Sequence, residues 1–214
     1  MKSRKVVTRG GRKYRGYFPS WKMQRVIEWE SLLERDAILL FEFSSGVVIY
    51  REQPELIQYE FEGVIHRYYP DFEVVLKSGE IIHFEVKPAS KLKSHELINK
   101  LTAIKRHYDR MGREFRILSS DVIQKHPRHS NLMYLTKLKF HPEIFSSVET
   151  NTVKATISAD KKPTIQSLAK IYGLKNVLLL ISQGQIIFDL DVDLFAEINP
   201  VRLPREADDD SLLF

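Results

Sequence analysis

The chain has 214 residues, 43% of them hydrophobic, and a formal net charge of +5, enough for one large domain or two small ones with a real core. It lacks any run of about 18 apolar residues that could span a membrane, and its basic N-terminus lacks the apolar stretch of a signal peptide. It also has no cysteine, which excludes disulfides and thiolate metal sites, suits a reducing cytoplasm, and leaves carboxylates, carbonyls or histidines for any metal.

The charge is uneven. Nine cations, from Lys2 to Arg25, precede the first acid, Glu28, so the remainder carries −4. Residues 1–20 read as an irregular basic arm broken by Gly10, Gly11 and Gly16. Its cations Arg9, Arg12, Lys13 and Arg15, with Lys22 and Arg25 just beyond, alternate with Tyr14, Tyr17, Phe18 and Trp21. That mixture of charge and stacking surface points to a polyanion, most often a nucleic acid; the other reading is a disordered, solubilising tail. Residues 21–43 read as one long helix with Ser20 as its N-cap, ended by Ser44, Ser45 and Gly46.

Strands are expected at Val47–Tyr50, Leu56–Phe61, Ile65–Tyr69, Phe72–Leu76 and Ile81–Val86, then a helix from about Ser94 to Met111 and a strand at Glu114–Leu118. These elements make residues 21–120 one α/β unit, a mixed sheet flanked by helices. Residues 121–198 read differently. Helices are expected at Asp121–Lys125, Ser130–Phe140, after Pro142, and at Thr164–Tyr172. A β-hairpin of Val177–Ser182 and Gln185–Leu190 follows, a winged-helix-like layout. Gln166, Lys170 and Tyr172 then face DNA or a docked protein. Residues 199–214, with Pro200, Pro204, an acidic run and the apolar end Leu212–Phe214, read as an extended tail.

The chemistry concentrates in "YYPDFEVVLKSGEIIHFEVK", Tyr68–Lys87. Even positions are apolar on both strands (Phe72, Val74, Leu76; Ile82, Phe84, Val86), and odd positions include Asp71, Glu73, His83, Glu85 and Lys87. Opposed residues in an antiparallel pair sum to a constant, so matching faces require an odd number of loop residues, or a bulge. A three-residue loop at Ser78–Gly79–Glu80 satisfies this and pairs Asp71 with Lys87 and Glu73 with Glu85, which puts Asp71, Glu85 and Lys87 on one face. Two carboxylates beside a backbone carbonyl suit Mg²⁺ or Mn²⁺, and a lysine there can orient a water or balance charge developing on a phosphate. The same residues would also serve as a solvated charge ladder. His83 reads as a solvated strand residue. Lys91 and Lys93, just past the site, are placed to meet phosphate.

On the long helix, Glu34 shares a stripe with Ile27, Glu30, Ile38 and Phe41. A carboxylate among apolar neighbours must be paired or metal-bound.

Together, "WESLLERDAILLFEF", "VVIYREQPELIQYEF", "YYPDFEVV" and "HFEVKPASKL" resemble the TnsA-type endonucleases of bacterial transposons, in the PD-(D/E)xK nuclease superfamily. The resemblance covers about residues 16–118. It implies a restriction-endonuclease-like fold with a winged-helix C-terminal domain, and catalytic residues Glu34, Asp71, Glu85 and Lys87. It implies one or two Mg²⁺ or Mn²⁺ ions on Glu34, Asp71, Glu85 and the Val86 carbonyl. Arg51 and Gln53 match a family motif and read as positioning groups. The family's reaction is hydrolysis of DNA at the transposon 5′ ends, in a complex with a TnsB-type transposase and a TnsC-type AAA+ ATPase that contacts the C-terminal region. A bacterial cytoplasmic, nucleoid-associated setting follows. Two other readings remain: another nuclease of the superfamily, restriction or junction-resolving, or a non-catalytic adaptor between DNA and ATPase.

Overall fold

The computed structural model describes residues 14–140, 147–160 and 162–205. They fall into two units that part between Gln124 and Lys125. No described helix is long and apolar enough to cross a membrane.

The first unit opens with a hairpin, β1 (Gly16–Ser20) against β2 (Arg25–Trp29). Helix α1 (Leu32–Phe43) follows. Then come β3 (Val47–Glu52), the hairpin β4 (Ile57–Phe61) and β5 (Val64–Tyr68), and the hairpin β6 (Phe72–Leu76) and β7 (Ile81–Lys87). A 3₁₀ turn (Ala89–Lys93), α2 (His95–Arg110), β8 (Glu114–Ser119) and the short α3 (Ser120–Ile123) complete it. The central sheet runs β3-β6-β7-β8, antiparallel except for the parallel β7–β8 pair. The mixed sheet with flanking helices is the architecture expected from the strand pattern.

The even face of the β6–β7 hairpin is the apolar one. Phe72, Val74, Ile82 and Phe84 are buried, and α1 lies over them, its Phe41 ring 5.1 Å from Phe72, 5.5 Å from Tyr50 and 5.9 Å from Phe84. The odd face is covered too. Helix α2 and the β4–β5 hairpin close it with a cluster of Ile57, Tyr59, Tyr68, Leu101, Ile104, Tyr108 and Phe115. His83 is therefore buried, not solvated, its ring 4.7 Å from Tyr108.

The hairpin register differs from the expected one by two residues. Phe72 opposes Phe84 and Glu73 opposes His83. The loop is still three residues long, Lys77–Ser78–Gly79, because Leu76 N donates to Glu80 O at 2.9 Å. Gly79 N donates to Leu76 O, also at 2.9 Å, and Gly79 has φ +86°. This is a turn closed by a bulge that needs glycine at its last position. A shift of two preserves parity, so the faces are those expected although the named partners are not.

The N-terminal expectations are corrected most. Residues 21–43 are not one helix: a strand and a turn precede α1, whose N-cap is Ser31, not Ser20. Ile27 and Glu30 are thus not on the helix with Glu34. The S-L-L-E run is a capping signature; Ser31 Oγ accepts from Glu34 N at 3.1 Å. The arm assigned to residues 1–20 includes strand β1, and Gly16 is no breaker. A Cβ there would stand 2.3 Å from the Trp29 ring.

The second unit holds α4 (Arg128–Lys139), α5 (Ser147–Ala159), α6 (Ile165–Tyr172), α7 (Leu174–Ser182), β9 (Ile187–Phe188) and β10 (Val201–Arg202). The expected strand Val177–Ser182 is instead the buried part of α7, so the expected hairpin does not exist. The short ribbon is β9 with β10. The tail reading of residues 199–214 fails at its start. Asn199 is buried and donates to Asp193 O and Leu194 O at 2.8 Å, and Val201 is buried in the ribbon. Residues 206–214 lie outside the described ones.

Candidate active site

Asp71, Glu85 and Lys87 meet where β7 leaves the β6 ladder. Pro70 ends the preceding run, and Asp71 stands one residue before the first β6–β7 pair. Its Oδ2 accepts from Val86 N at 2.8 Å. Its backbone carbonyl accepts from Gln53 N at 2.9 Å, so β3 fixes it from the other side. Lys87 Nζ donates to Glu85 Oε1, lies 3.3 Å from the Val86 carbonyl as a second acceptor, and stands 3.8 Å from Asp71 Oδ2. Tyr68 donates its hydroxyl to Glu85 Oε2.

Glu34 is brought to the same field from α1. Its Oε2 accepts from Glu30 N at 2.8 Å and its Oε1 from Ser31 Oγ at 2.9 Å. The side chain thus folds back over the helix N-terminus, where orphan N–H groups and the helix dipole favour a carboxylate. Burial raises the Glu34 pKa, while those two hydrogen bonds and the Lys87 charge lower it in part.

Negative charge is in excess. The Asp71 carboxyl is held well above its usual range, first by burial, then by Glu85, with Glu34 adding to it and Lys87 opposing. Burial alone would lower Lys87 and is the largest single influence. The charges of Glu85, Asp71 and Glu34 and the bond to Glu85 outweigh it, and the net shift is upward. The carboxylates of Glu34, Asp71 and Glu85 thus outnumber the one ammonium among them, an excess that a further cation would offset. Among the described residues no three His, Asp or Glu side chains already stand as a metal-binding set. The ammonium of Lys87 lies among the oxygens of Asp71, Glu85 and Val86. Those are hard oxygen donors, the type that suits Mg²⁺ or Mn²⁺.

The other expected site residues divide. Gln53 is buried with φ +41°, a left-handed conformation that is costly outside glycine, and it acts on Asp71 through its backbone. Its side chain reaches Glu30 at 3.5 Å. Arg51 is not at the cluster. It faces Glu73 across the β3–β6 ladder, with Nη2 donating at 2.9 Å and Nε 2.8 Å away. His83 Nε2 stands 3.2 Å from Glu73 and 3.3 Å from Glu55. The contacts with His83 and Arg51 draw the Glu73 pKa down to about 2.

Two of the expected DNA contacts are spoken for. Lys22 Nζ donates to Phe41 O at 2.7 Å and Ser44 O at 2.6 Å, closing the C-terminal end of α1. Arg25 holds buried Glu52 with two bonds, at 3.0 and 2.6 Å. Arg15 lies 3.7 Å from Glu30. Lys91 and Lys93 are exposed on the turn that follows the site. Arg9, Arg12 and Lys13 lie outside the described residues. In the second unit, Tyr172 shares a hydrogen bond with Thr156 at 2.6 Å, and Gln166 Oε1 accepts from Asn199 N at 3.3 Å. Neither is free to read DNA, and Lys170 alone of that trio is exposed.

Sequence reasoning missed Tyr68 and Ser31. The first could not be found from spacing, because its hydroxyl reaches Glu85 from a different hairpin. The second was signalled by S-x-x-E.

The central hairpin of the mixed sheet thus carries P-D and E-x-K to one end, with a helical glutamate in the same field, the layout that the resemblance to TnsA-type endonucleases implies. Residues 44–120 match the family model of the TnsA-like endonuclease N-terminal domain. Residues 44–120 are thus similar to a TnsA-like endonuclease N-terminal domain, a similarity that points to a transposase system in general. The match includes Asp71, Glu85 and Lys87 and begins after α1, so Glu34 lies before it. No curated protein matches the chain.

Proposed function

We propose that this chain is the divalent-metal-dependent DNA endonuclease subunit of a heteromeric transposase, hydrolysing the non-transferred strand at the transposon 5′ ends. The observation that carries the reading is the convergence of Asp71, Glu85, the Val86 carbonyl and Lys87, with its unbalanced negative charge, inside a TnsA-like domain. Asp71, Glu85 and Val86 O, with Glu34 alongside, would hold Mg²⁺ or Mn²⁺. Such an ion supplies Lewis acidity toward the phosphate and lowers the pKa of a bound water.

The chain's own residues do the rest. The Val86 N–H and the Gln53 backbone hold Asp71 in place. Ser31 and the N–H of Glu30 hold Glu34. Lys87, whose ammonium lies beside Asp71, Glu85 and the Val86 carbonyl, would donate to the scissile phosphate as charge develops there. Lys91 and Lys93 hold the DNA backbone next to the reacting bond, contacts that position without reading sequence.

We read the second unit as winged-helix-like. The support is its order: α5, a single bridge at Thr164, α6, α7, β9 and β10, with Thr164 bridging to Pro200 beside β10. Its α7 is buried over Val177–Ser182, unlike a helix that lies in a major groove. We therefore assign this unit to docking on a TnsC-type ATPase, and end recognition to a TnsB-type transposase.

The test uses transposon-end DNA, the chain, and a TnsB-type partner with Mg²⁺. Strand-specific 5′-end cleavage should appear with the wild type and vanish with Asp71→Asn or Lys87→Ala. Cleavage that survives both substitutions would overturn the reading.

A further inference from the structure

We propose that Tyr68 is a positioning residue that fixes which oxygen of Glu85 is offered to the metal, and thereby the kind of divalent cation accepted. The inference rests on the metal-site reading above and adds to it a residue outside the P-D…E-x-K pattern.

The Glu85 carboxylate is shared between two donors of different character. Lys87 donates to Oε1 and Tyr68 to Oε2. The ammonium is a flexible cation, and a metal ion can take its place. The phenol cannot be displaced in that way. Its ring is wedged edge-on between Tyr59 and Phe115, with centroids 6.2 and 6.3 Å away, in the apolar cluster under α2. Tyr68 is buried, and it is the last residue of β5, only two positions before Pro70–Asp71. One short segment therefore carries both a carboxylate of the site and the group that orients the other.

With Oε2 held, Glu85 has a single oxygen to give. Turning the carboxylate so that both oxygens face a metal would break the Tyr68 bond and leave a buried hydroxyl unpaired, which disfavours that arrangement. Small octahedral ions accept one oxygen per carboxylate, whereas Ca²⁺ takes carboxylates through both oxygens in a larger, looser shell. Tyr68 thus favours Mg²⁺ or Mn²⁺ and opposes Ca²⁺. Hydrogen-bond partners behind a metal ligand commonly alter affinity about 10–100-fold when removed.

The experiment is calorimetric titration of the full chain with Mn²⁺ and, separately, Ca²⁺, in the absence of DNA. It compares wild type, Tyr68→Phe, Tyr59→Phe and Glu85→Gln. Tyr59 lies in the same aromatic cluster and senses the Glu85 charge without the hydrogen bond that Tyr68 makes to it, so its variant reports the loss of a neighbouring hydroxyl and of packing with that bond left intact. Tyr68→Phe should lose about tenfold in Mn²⁺ affinity and narrow the gap between Mn²⁺ and Ca²⁺, while Tyr59→Phe keeps both wild-type values. Mn²⁺ binding by the wild type that Glu85→Gln abolishes and Tyr68→Phe leaves unchanged would overturn the role of Tyr68 and leave the metal site standing. Equal losses in the two tyrosine variants would also overturn it, because packing would explain both. A wild type that binds no Mn²⁺ would overturn the metal reading itself.

Discussion

Two carboxylate sites border helix α1, one buried at Glu42 and one partly buried around Asp71, and they are built on opposite plans. Glu42, near the end of α1, accepts four hydrogen bonds from neutral donors: Ser20 Oγ at 2.7 Å, Tyr50 Oη at 2.7 Å, Trp21 N at 3.0 Å and Lys22 N at 2.8 Å. Its charge is satisfied, and it ties the β1–β2 turn to the helix. Around Asp71, in contrast, three carboxylates share one ammonium and burial raises the pKa of two of them. The first arrangement holds the protein together. The second leaves negative charge in excess, as perturbed groups at functional sites often do.

Substitutions should separate the two sites in opposite directions. The largest expected effect is on catalysis. Lys87→Ala or Asp71→Asn should lower 5′-end cleavage by about 10³-fold or more in the reconstituted assay, a loss of about 4 kcal/mol in barrier lowering. Asp71→Asn should leave the melting temperature of the metal-free protein unchanged or higher, because it removes a repelled charge. A marked fall in melting temperature would make Asp71 a second Glu42 and erase the contrast. Glu42→Ala should do the reverse. It leaves Ser20, Tyr50 and two backbone N–H groups without their acceptor and should cost about 3 kcal/mol by denaturant unfolding, with no direct effect on chemistry in the fraction that stays folded.

The pH dependence sharpens the comparison. The Asp71 pKa is raised on folding, so the folded state binds its proton more tightly. Stability of the metal-free protein is lost as pH rises from the ordinary carboxylate value of 3.8 through the raised one. Glu73 is the opposite case. Its pKa falls from 4.5 to about 2, so its contribution is complete above 4.5 and is lost as pH drops toward 2. That contribution amounts to at most about 3 kcal/mol. Thermal melts across this range should show a decline on the acid side that Glu73→Gln removes, and a decline on the alkaline side of 3.8 that Asp71→Asn removes.

Smaller effects test the supports. Ser31→Ala removes the cap of α1 and one of the two bonds to Glu34; it should cost about 1 kcal/mol of stability and a larger share of activity. Replacing Lys91 and Lys93 together by Ala should weaken DNA binding a few-fold and flatten its salt dependence by about two units of slope. Lys22→Ala should destabilise the end of α1 and leave that slope unaltered, since its ammonium already serves Phe41 and Ser44.

What could be read from the residues follows the range of the interactions involved. The central strands were legible because their period of two is local, and the parity of the β6–β7 hairpin was legible for the same reason. Its register was not, since loops at 77–79 and 78–80 satisfy the same alternation and only the bulge at Gly79 decides. The β1–β2 hairpin was hidden because its turn, Trp21–Gln24, carries no glycine and bends at Gln24 with φ +50°. The apolar run Val177–Ser182 has no helical period to distinguish it from a buried strand, and the Leu-rich composition with Gly173 before it favoured the helix. Cations misled for another reason. Lys22 and Arg25 look like their neighbours in sequence, and only folding reveals Ser44 and Glu52 beside them.

The contrast between the two carboxylate sites is tested most directly by diffraction from crystals of the protein soaked in Mn²⁺, with anomalous scattering to locate the ion. The expected result is a peak bounded by Asp71, Glu85 and the Val86 carbonyl, with the Lys87 ammonium withdrawn from Glu85 and Glu42 unchanged in its four hydrogen bonds. A soaked crystal with no peak there and the Lys87–Glu85 pair intact would contradict it.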